Sequence, residues 1–203
     1  GNGVKSIPLA NRATTGAMTN IATAMRRSPE FAERAHIVFM GGALAVPGNV
    51  NACVEANISQ DPEAADIMVR RGKDVTMIGL DVTLQTLLTY EETRKWREYG
   101  TPAGQLLADA TDYYIKAYET TAPELGGCGL HDPLAVGVAI DPTLVTLLPI
   151  NLKVDLEGPT RGRTIGDENR MGESATTRVA VAVDASRFLT EFMTRVGKVA
   201  AGL

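Results

Sequence analysis

Two short stretches of this 203-residue chain carry the residue types best suited to chemistry. In "GGCGLHDPLAV" (126–136), His131 and Asp132 stand side by side where an apolar run begins. A histidine there, with an ordinary pKa near neutrality, is suited to giving a proton to a leaving group. Asp132 also has a purely structural reason to be present, since Asp at an N-cap followed by Pro133 at the first helical position starts a helix well. The second stretch, "MGGALAVPGNVNACVEANISQDPEAAD" (40–66), is a long connection from a strand to the next helix and carries Asn49, Asn51, Glu55 and Asn57. Connections of that length inside a compact domain are more often functional than idle. Short amides that both donate and accept, one carboxylate and the glycines at 41, 42 and 48 would make a cradle for hydroxyl groups. The asparagines would equally serve to close turns.

These stretches must be held by elements, and the elements alternate. "TNIATAMRR" (19–27) has helical apolar spacing, Thr19 or Asn20 as its N-cap and Pro29 beyond its end. "HIVFMGG" (36–42) is a buried strand running into a tight turn. "DPEAADIMVRRG" (61–72) has Asp at N-cap, Pro next and Gly at its end, so it is a second helix. "DVTMIGLDVT" (74–83) is another buried strand with polar residues after it. "YEETRKWREYG", "AGQLLADATDYYIKAYETT" and "DPLAVGVAI" (132–140) are helices. After Pro142, "LVTLLPINLKVDLEG" and "TRVAVAVD" alternate as strands around a hairpin or excursion at "PTRGRTIGD", and "DASRFLTEFMTRV" is an amphipathic helix. The expected fold class is α/β, a mostly parallel central sheet flanked by helices, with residues 1–203 as a single domain. Ligands of such sheets bind beyond the carboxyl ends of the strands, which points to the turns after "HIVFM" and "MIGL".

Composition narrows the partners. The chain has 20 basic and 24 acidic residues, a net charge of -4 and no long basic run, which argues against nucleic acid. No apolar run approaches the roughly 18 to 20 residues of a membrane span, and "GNGVKSIPLA" lacks the pattern of a signal peptide, so a soluble, cytoplasmic protein is expected. Cys53 and Cys128 form no CxxC pair and read as free thiols.

Taken in order, "TTGAMTNIATAMRRSPE", "IVFMGGALAVPGNVNACVEANISQDPEAADIMV", "VTMIGLDVT" and "HDPLAVGVAIDPTLV" resemble the inosine-uridine preferring nucleoside hydrolase family, and the resemblance continues through "LEGPTRGRTIGD" to "VDASRFLTEFM". It implies hydrolysis of the N-glycosidic bond of ribonucleosides to free base and ribose, with a bound Ca²⁺ that chelates ribose hydroxyls and positions the attacking water. By motif, Asp132 and the carbonyl of Thr15 are implied as metal ligands, and Asn49, Glu55 and Asn57 as a ribose clamp with Met40 beneath the sugar. His131 is implied as the acid for the departing base. Tyr114 and Tyr118, at i,i+4 on one helical face, resemble the aromatic lining near the base, although core or surface positions would suit them as well. The base-side segments are expected at 84–90 and 118–130, the latter glycine-rich enough to close as a lid. Dimers or tetramers of the same chain are implied.

Two departures qualify this picture. The family's D-x-D-x-x-x-D-D cluster, which supplies the base and most calcium carboxylates, does not occur here, so the chain resembles the C-terminal two-thirds of a member. With Asp132 and one backbone oxygen against the 6 to 8 oxygens Ca²⁺ usually takes, hydrolysis by these residues alone is expected to be impaired. Pro8, Asn11 and Arg12 in "SIPLANRATTG" also fit a central parallel strand poorly. Alternatives are a non-catalytic ribose- or nucleoside-binding module and an inactive family remnant. A dinucleotide-binding enzyme is disfavoured because "GGALAVPG" is not G-x-G-x-x-G.

Overall fold

A computed structural model describes residues 12–203. In chain order it begins with β1 (Arg12–Thr14), α1 (Thr19–Arg27), α2 (Pro29–Arg34), β2 (His36–Met40), α3 (Ala56–Gln60), α4 (Pro62–Arg71), β3 (Asp74–Ile78), α5 (Leu80–Thr83) and β4 (Leu87–Leu88). There follow α6 (Tyr90–Glu98), α7 (Pro102–Thr121), β5 (Cys128–Gly129), α8 (His131–Ile140), β6 (Val145–Pro149), β7 (Leu152–Val154), β8 (Thr164–Gly166), β9 (Thr177–Val183) and α9 (Ala185–Ala200). The central sheet runs β1-β2-β3-β9-β6. Its first four strands are parallel, and β6 closes against β9 in the antiparallel sense, with an irregularity between Thr146 and Leu147. The expected α/β class, with a mostly parallel sheet between helices, is what the chain adopts.

The period of two along β2 sorts the core into two layers. Ile37 and Phe39 join Met25, Met68 and Met77 on the face covered by α1 and α4, whereas Val38 and Met40 join Leu134, Trp96 and Phe188 on the face covered by α6 to α9. Asp61 caps α4 as its sequence predicts, accepting from Ala64 N at 3.0 Å with Pro62 in the first turn. Thr89 and Glu92 close a capping box on α6. No helix among the described residues is long and apolar enough to cross a membrane. Cys53 and Cys128 are free.

Three expectations need correction. The helix containing Asp132 starts two residues earlier than expected, at His131 instead of Pro133, with Leu130 as its N-cap, so Asp132 lies in the first turn and caps nothing. The cause is upstream: Cys128 and Gly129 pair with Leu88 and Leu87, and Leu130 N donates to Thr86 O, so the chain is delivered into the helix at His131. In α1 neither Thr19 nor Asn20 is the N-cap; Met18 is, and the Thr19 hydroxyl donates instead to Asp61 Oδ2 at 2.5 Å. Arg12, doubted as a strand residue, does pair with Ile37, as its neighbour Ala13 does with Val38. β1 has a strand neighbour on one side only among the described residues, and both side chains are exposed, where polarity costs little. Pro8 and Asn11 lie outside the described residues.

Candidate active site

The carboxyl ends of β2 and β3 meet at a glycine turn. Gly41 N donates to Ile78 O and Leu80 N to Gly42 O, locking the two strand ends together. Gly42 has φ +82, and a Cβ there would stand 2.7 Å from Met77 Sδ and 2.9 Å from Thr164 Oγ1. Only glycine passes at that point. The loop that follows is gripped from three sides. Asp81 accepts from Leu44 N (2.9 Å) and Ala45 N (2.7 Å). Arg163 donates to the carbonyls of Leu44, Val46 and Cys53. Thr164 Oγ1 both accepts from Ala43 N and donates to Ala43 O.

Glu55 closes the loop from within. It is the N-cap of α3 and is 2% exposed, with Oε2 accepting from Gly42 N (2.9 Å) and Ile58 N (3.1 Å) and Oε1 from Asn57 N (2.9 Å). Burial raises its pKa, the three backbone donors oppose that rise, and the nearby Asp132 adds to it. Asn49 and Asn51 do close turns: Asn49 Oδ1 accepts from Ala56 N, and Asn51 Oδ1 from Cys53 N and Val54 N. The Asn57 amide donates to Met40 O (3.2 Å) and contacts its sulfur (3.0 Å), which fixes side chain and strand end against each other.

His131 is held at both ring nitrogens. Nδ1 lies 2.7 Å from Thr83 Oγ1 and Nε2 lies 2.5 Å from the Tyr118 hydroxyl. Burial lowers its pKa to about 4, and burial likewise drives Tyr118 well above the ordinary phenol range. Tyr114 packs edge-to-face on Tyr118 at 5.1 Å between centroids. Gly129 leaves room for the imidazole, since a Cβ there would stand 2.7 Å from Nε2. Asp132 has no hydrogen-bond partner or counter-ion among the described residues, and desolvation raises its pKa.

These side chains converge. Met40, Asn49, Glu55, Asn57, Tyr114, His131 and Asp132 line one cavity of about 310 Å³, with Gly129 and Pro133. Tyr118 does not line it and touches it through His131 and Tyr114. Thr15 does not line it either; it shares with Asp132 a neighbouring apolar cavity of about 450 Å³ between α8 and α9. The segments expected to flank a base, 84–90 and 118–130, are tied together by the β4–β5 pairing. Thr83, Asp81, Arg163 and Thr164 went unpredicted; for Asp81 and Thr83 the polar residues after "MIGL" were the available signal. Among the described residues no three His, Cys, Asp or Glu side chains group so as to hold a metal.

Over 189 residues the chain is 38% identical to probable uridine nucleosidase 2 of Arabidopsis thaliana, covering 89% of this chain and 58% of that protein. It is 37% identical over 177 residues to the inosine-uridine preferring nucleoside hydrolase of Leishmania major, covering 86% and 55%. Among solved structures, the purine-preferring ribonucleoside hydrolase from Gardnerella vaginalis superposes with a TM-score of 0.92 at 66% identity, covering 94% of this chain and 61% of that one. The chain thus spans under two thirds of the length of these relatives. Residues 10–190 match the model of inosine-uridine preferring nucleoside hydrolases, and the chain belongs to that family.

Proposed function

We propose that this chain hydrolyses the N-glycosidic bond of ribonucleosides, releasing free base and ribose, with Ca²⁺ as its metal. The observation that supports this reading is the convergence on one cavity of an amide–carboxylate set, a buried histidine and a carboxylate with no protein partner among the described residues. Asn49, Glu55 and Asn57 bind the ribose hydroxyls. Oε2 of Glu55 accepts two backbone N–H groups and Oε1 one, which leaves Oε1 lone-pair capacity for a hydroxyl. Met40 lies beneath the sugar, and Tyr114 borders the base.

Cleavage of a ribosyl bond passes through an oxocarbenium-like transition state, in which positive charge grows on the ring and negative charge on the leaving base. Glu55 and Asp132, the carboxylates lining the cavity, favour the first, and hydroxyl contacts that tighten as charge develops add to it. His131, with Tyr118 on its Nε2, serves the second by supplying a proton at the base.

The family is metal-dependent in general. The donor chemistry here suits a hard cation: the Asp132 carboxylate has no protein partner among the described residues, and Thr15, which shares a cavity with it, offers a carbonyl. These are two of the 6 to 8 oxygens that Ca²⁺ usually takes. When bound, Ca²⁺ supplies ribose chelation and activation of water.

Within the substrate class a purine ribonucleoside is favoured, on the 66% identity to a purine-preferring hydrolase. A cytoplasmic setting and a dimeric or tetrameric assembly belong to the same reading. The test is release of base from inosine, adenosine, uridine and cytidine by the mass-verified chain, with Ca²⁺ and then with chelator. Turnover abolished by chelation supports the proposal; turnover unaffected by it removes Ca²⁺. Nucleoside binding without product selects the second reading, a non-catalytic nucleoside-binding module, which the two-oxygen donor set favours. Neither binding nor product leaves an inactive family remnant.

A further inference from the structure

Thr83 ends the single-turn helix α5, is fully buried, and is far in sequence from every residue so far given a role at the base. Its hydroxyl makes one hydrogen bond among the described residues, the 2.7 Å contact with His131 Nδ1. Its backbone is pinned as well: Thr83 N donates to Gly79 O, and Thr83 O accepts from both the amide and the hydroxyl of Thr86. The hydroxyl therefore has a fixed origin and a single partner.

A hydroxyl carries one proton to donate, and neutral imidazole has one nitrogen that donates and one that accepts. Were Nδ1 to carry the ring proton, it would donate to Thr83 Oγ1, and the Thr83 O–H would be a buried donor with no acceptor. That penalty biases the two tautomers by a factor of at least about five. Were Thr83 to donate to Nδ1, the ring proton sits on Nε2, which donates to the Tyr118 oxygen 2.5 Å away, and the hydroxyl left over is that of the half-buried Tyr118, which solvent can reach, in place of that of the fully buried Thr83. Nε2 stands beside the cavity-lining Gly129, where an added Cβ would lie 2.7 Å from it, while Nδ1 faces the buried threonine.

We infer that Thr83 is a positioning residue that fixes His131 as its Nε2–H tautomer, so that the ring proton is stored on Nε2, against the Tyr118 oxygen. The link from that stored proton to the leaving base rests on the hydrolase reading; the tautomer itself does not. His36, the other histidine of the chain, is a built-in contrast. Its Nδ1 lies 2.7 Å from Asp74 Oδ2, an acceptor only, so His36 carries its proton on Nδ1.

The experiment is long-range proton–nitrogen correlation on the full chain labelled with ¹⁵N in its histidines, at about pH 8, where both rings are neutral. The two rings are expected to show opposite tautomers, with His36→Gln removing the Nδ1–H pattern. Thr83→Val is expected to convert the His131 ring to a mixture or to Nδ1–H, and Thr83→Ser to restore Nε2–H. An Nδ1–H pattern for His131 in the wild type overturns the inference, and so does an unchanged ring in Thr83→Val. If the valine variant does not fold, the wild-type and serine spectra still decide. In hydrolysis assays, Thr83→Val is expected to lower kcat by at least about ten-fold with KM nearly unchanged, and serine to rescue it. A chain that releases no base yet shows Nε2–H at His131 removes the hydrolase reading and keeps this one.

Discussion

Replacing Glu55 by alanine removes at once the acceptor for three backbone N–H groups, those of Gly42, Asn57 and Ile58. A buried donor left unpaired costs about 1–3 kcal/mol, and since the adjoining cavity gives water some access, the lower end applies, about 3 kcal/mol for the three. For a chain of this size that corresponds to a fall in Tm of about 6–12 °C. Glu55→Gln separates stability from chemistry. Its single amide oxygen replaces Oε2 for Gly42 and Ile58, but its NH₂ group must then face the Asn57 N–H, one donor against another. The expected loss is about 1–2 kcal/mol. Thermal unfolding followed by circular dichroism measures both variants in the absence of nucleoside. If Glu55 served only as a ribose contact, alanine would leave the melt where it was. A shift smaller than about 2 °C in Glu55→Ala refutes the assignment of Glu55 as the knot of the loop.

Three further outcomes are expected. Gly129→Ala forces a Cβ against His131 Nε2 and should abolish base release while lowering Tm only modestly, as activity and melting curves will show. Asp132→Asn should weaken Ca²⁺ binding in calorimetry without destabilising the metal-free fold, because the carboxylate has no protein partner among the described residues to lose. The folded pKa of His131, about 4, lies below its unfolded value near 6.5, so the unfolded chain takes up the proton first. Stability of the chelator-treated chain should thus be full above about pH 6.5, fall by about 3 kcal/mol as the pH drops to about 4, and level off below. Denaturant titrations across that range should show a smaller drop in His131→Gln.

Local grammar made much of the frame legible. Asp61 with Pro62 marks the start of α4, and the five-residue apolar run ending at Gly41 marks β2, because caps and buried strands are written in adjacent residues. Of the nine residues named from the motif, seven line one cavity, whereas Thr15 and Tyr118 do not. The misplaced start of α8 shows the limit: Asp-Pro reads as cap and first turn, but the β4–β5 pairing, which joins segments some forty residues apart, decides where the helix begins. Tertiary pairing outweighed a local preference. Asp81, Thr83, Arg163 and Thr164 had no such signature. Their partners are 36 to 121 positions away, and nothing near a threonine in sequence says that its hydroxyl will meet an imidazole.

The grip of Arg163 and Thr164 on the glycine loop also orders events in time. Those bonds close spans of 117 to 121 residues with Val46, Leu44 and Ala43, whereas α4 and the β2–β3 pair can form from nearby chain. Long spans are entropically dear and close late. During synthesis, then, the ribosome releases β2 and β3 long before the clamp that finishes their turn, and the Ala43 amide stays unprotected until Thr164 arrives. Amide exchange on refolding should find Ala43 shielded later than Ala45, whose acceptor Asp81 is only 36 residues away, so the pocket matures as the fold's final act.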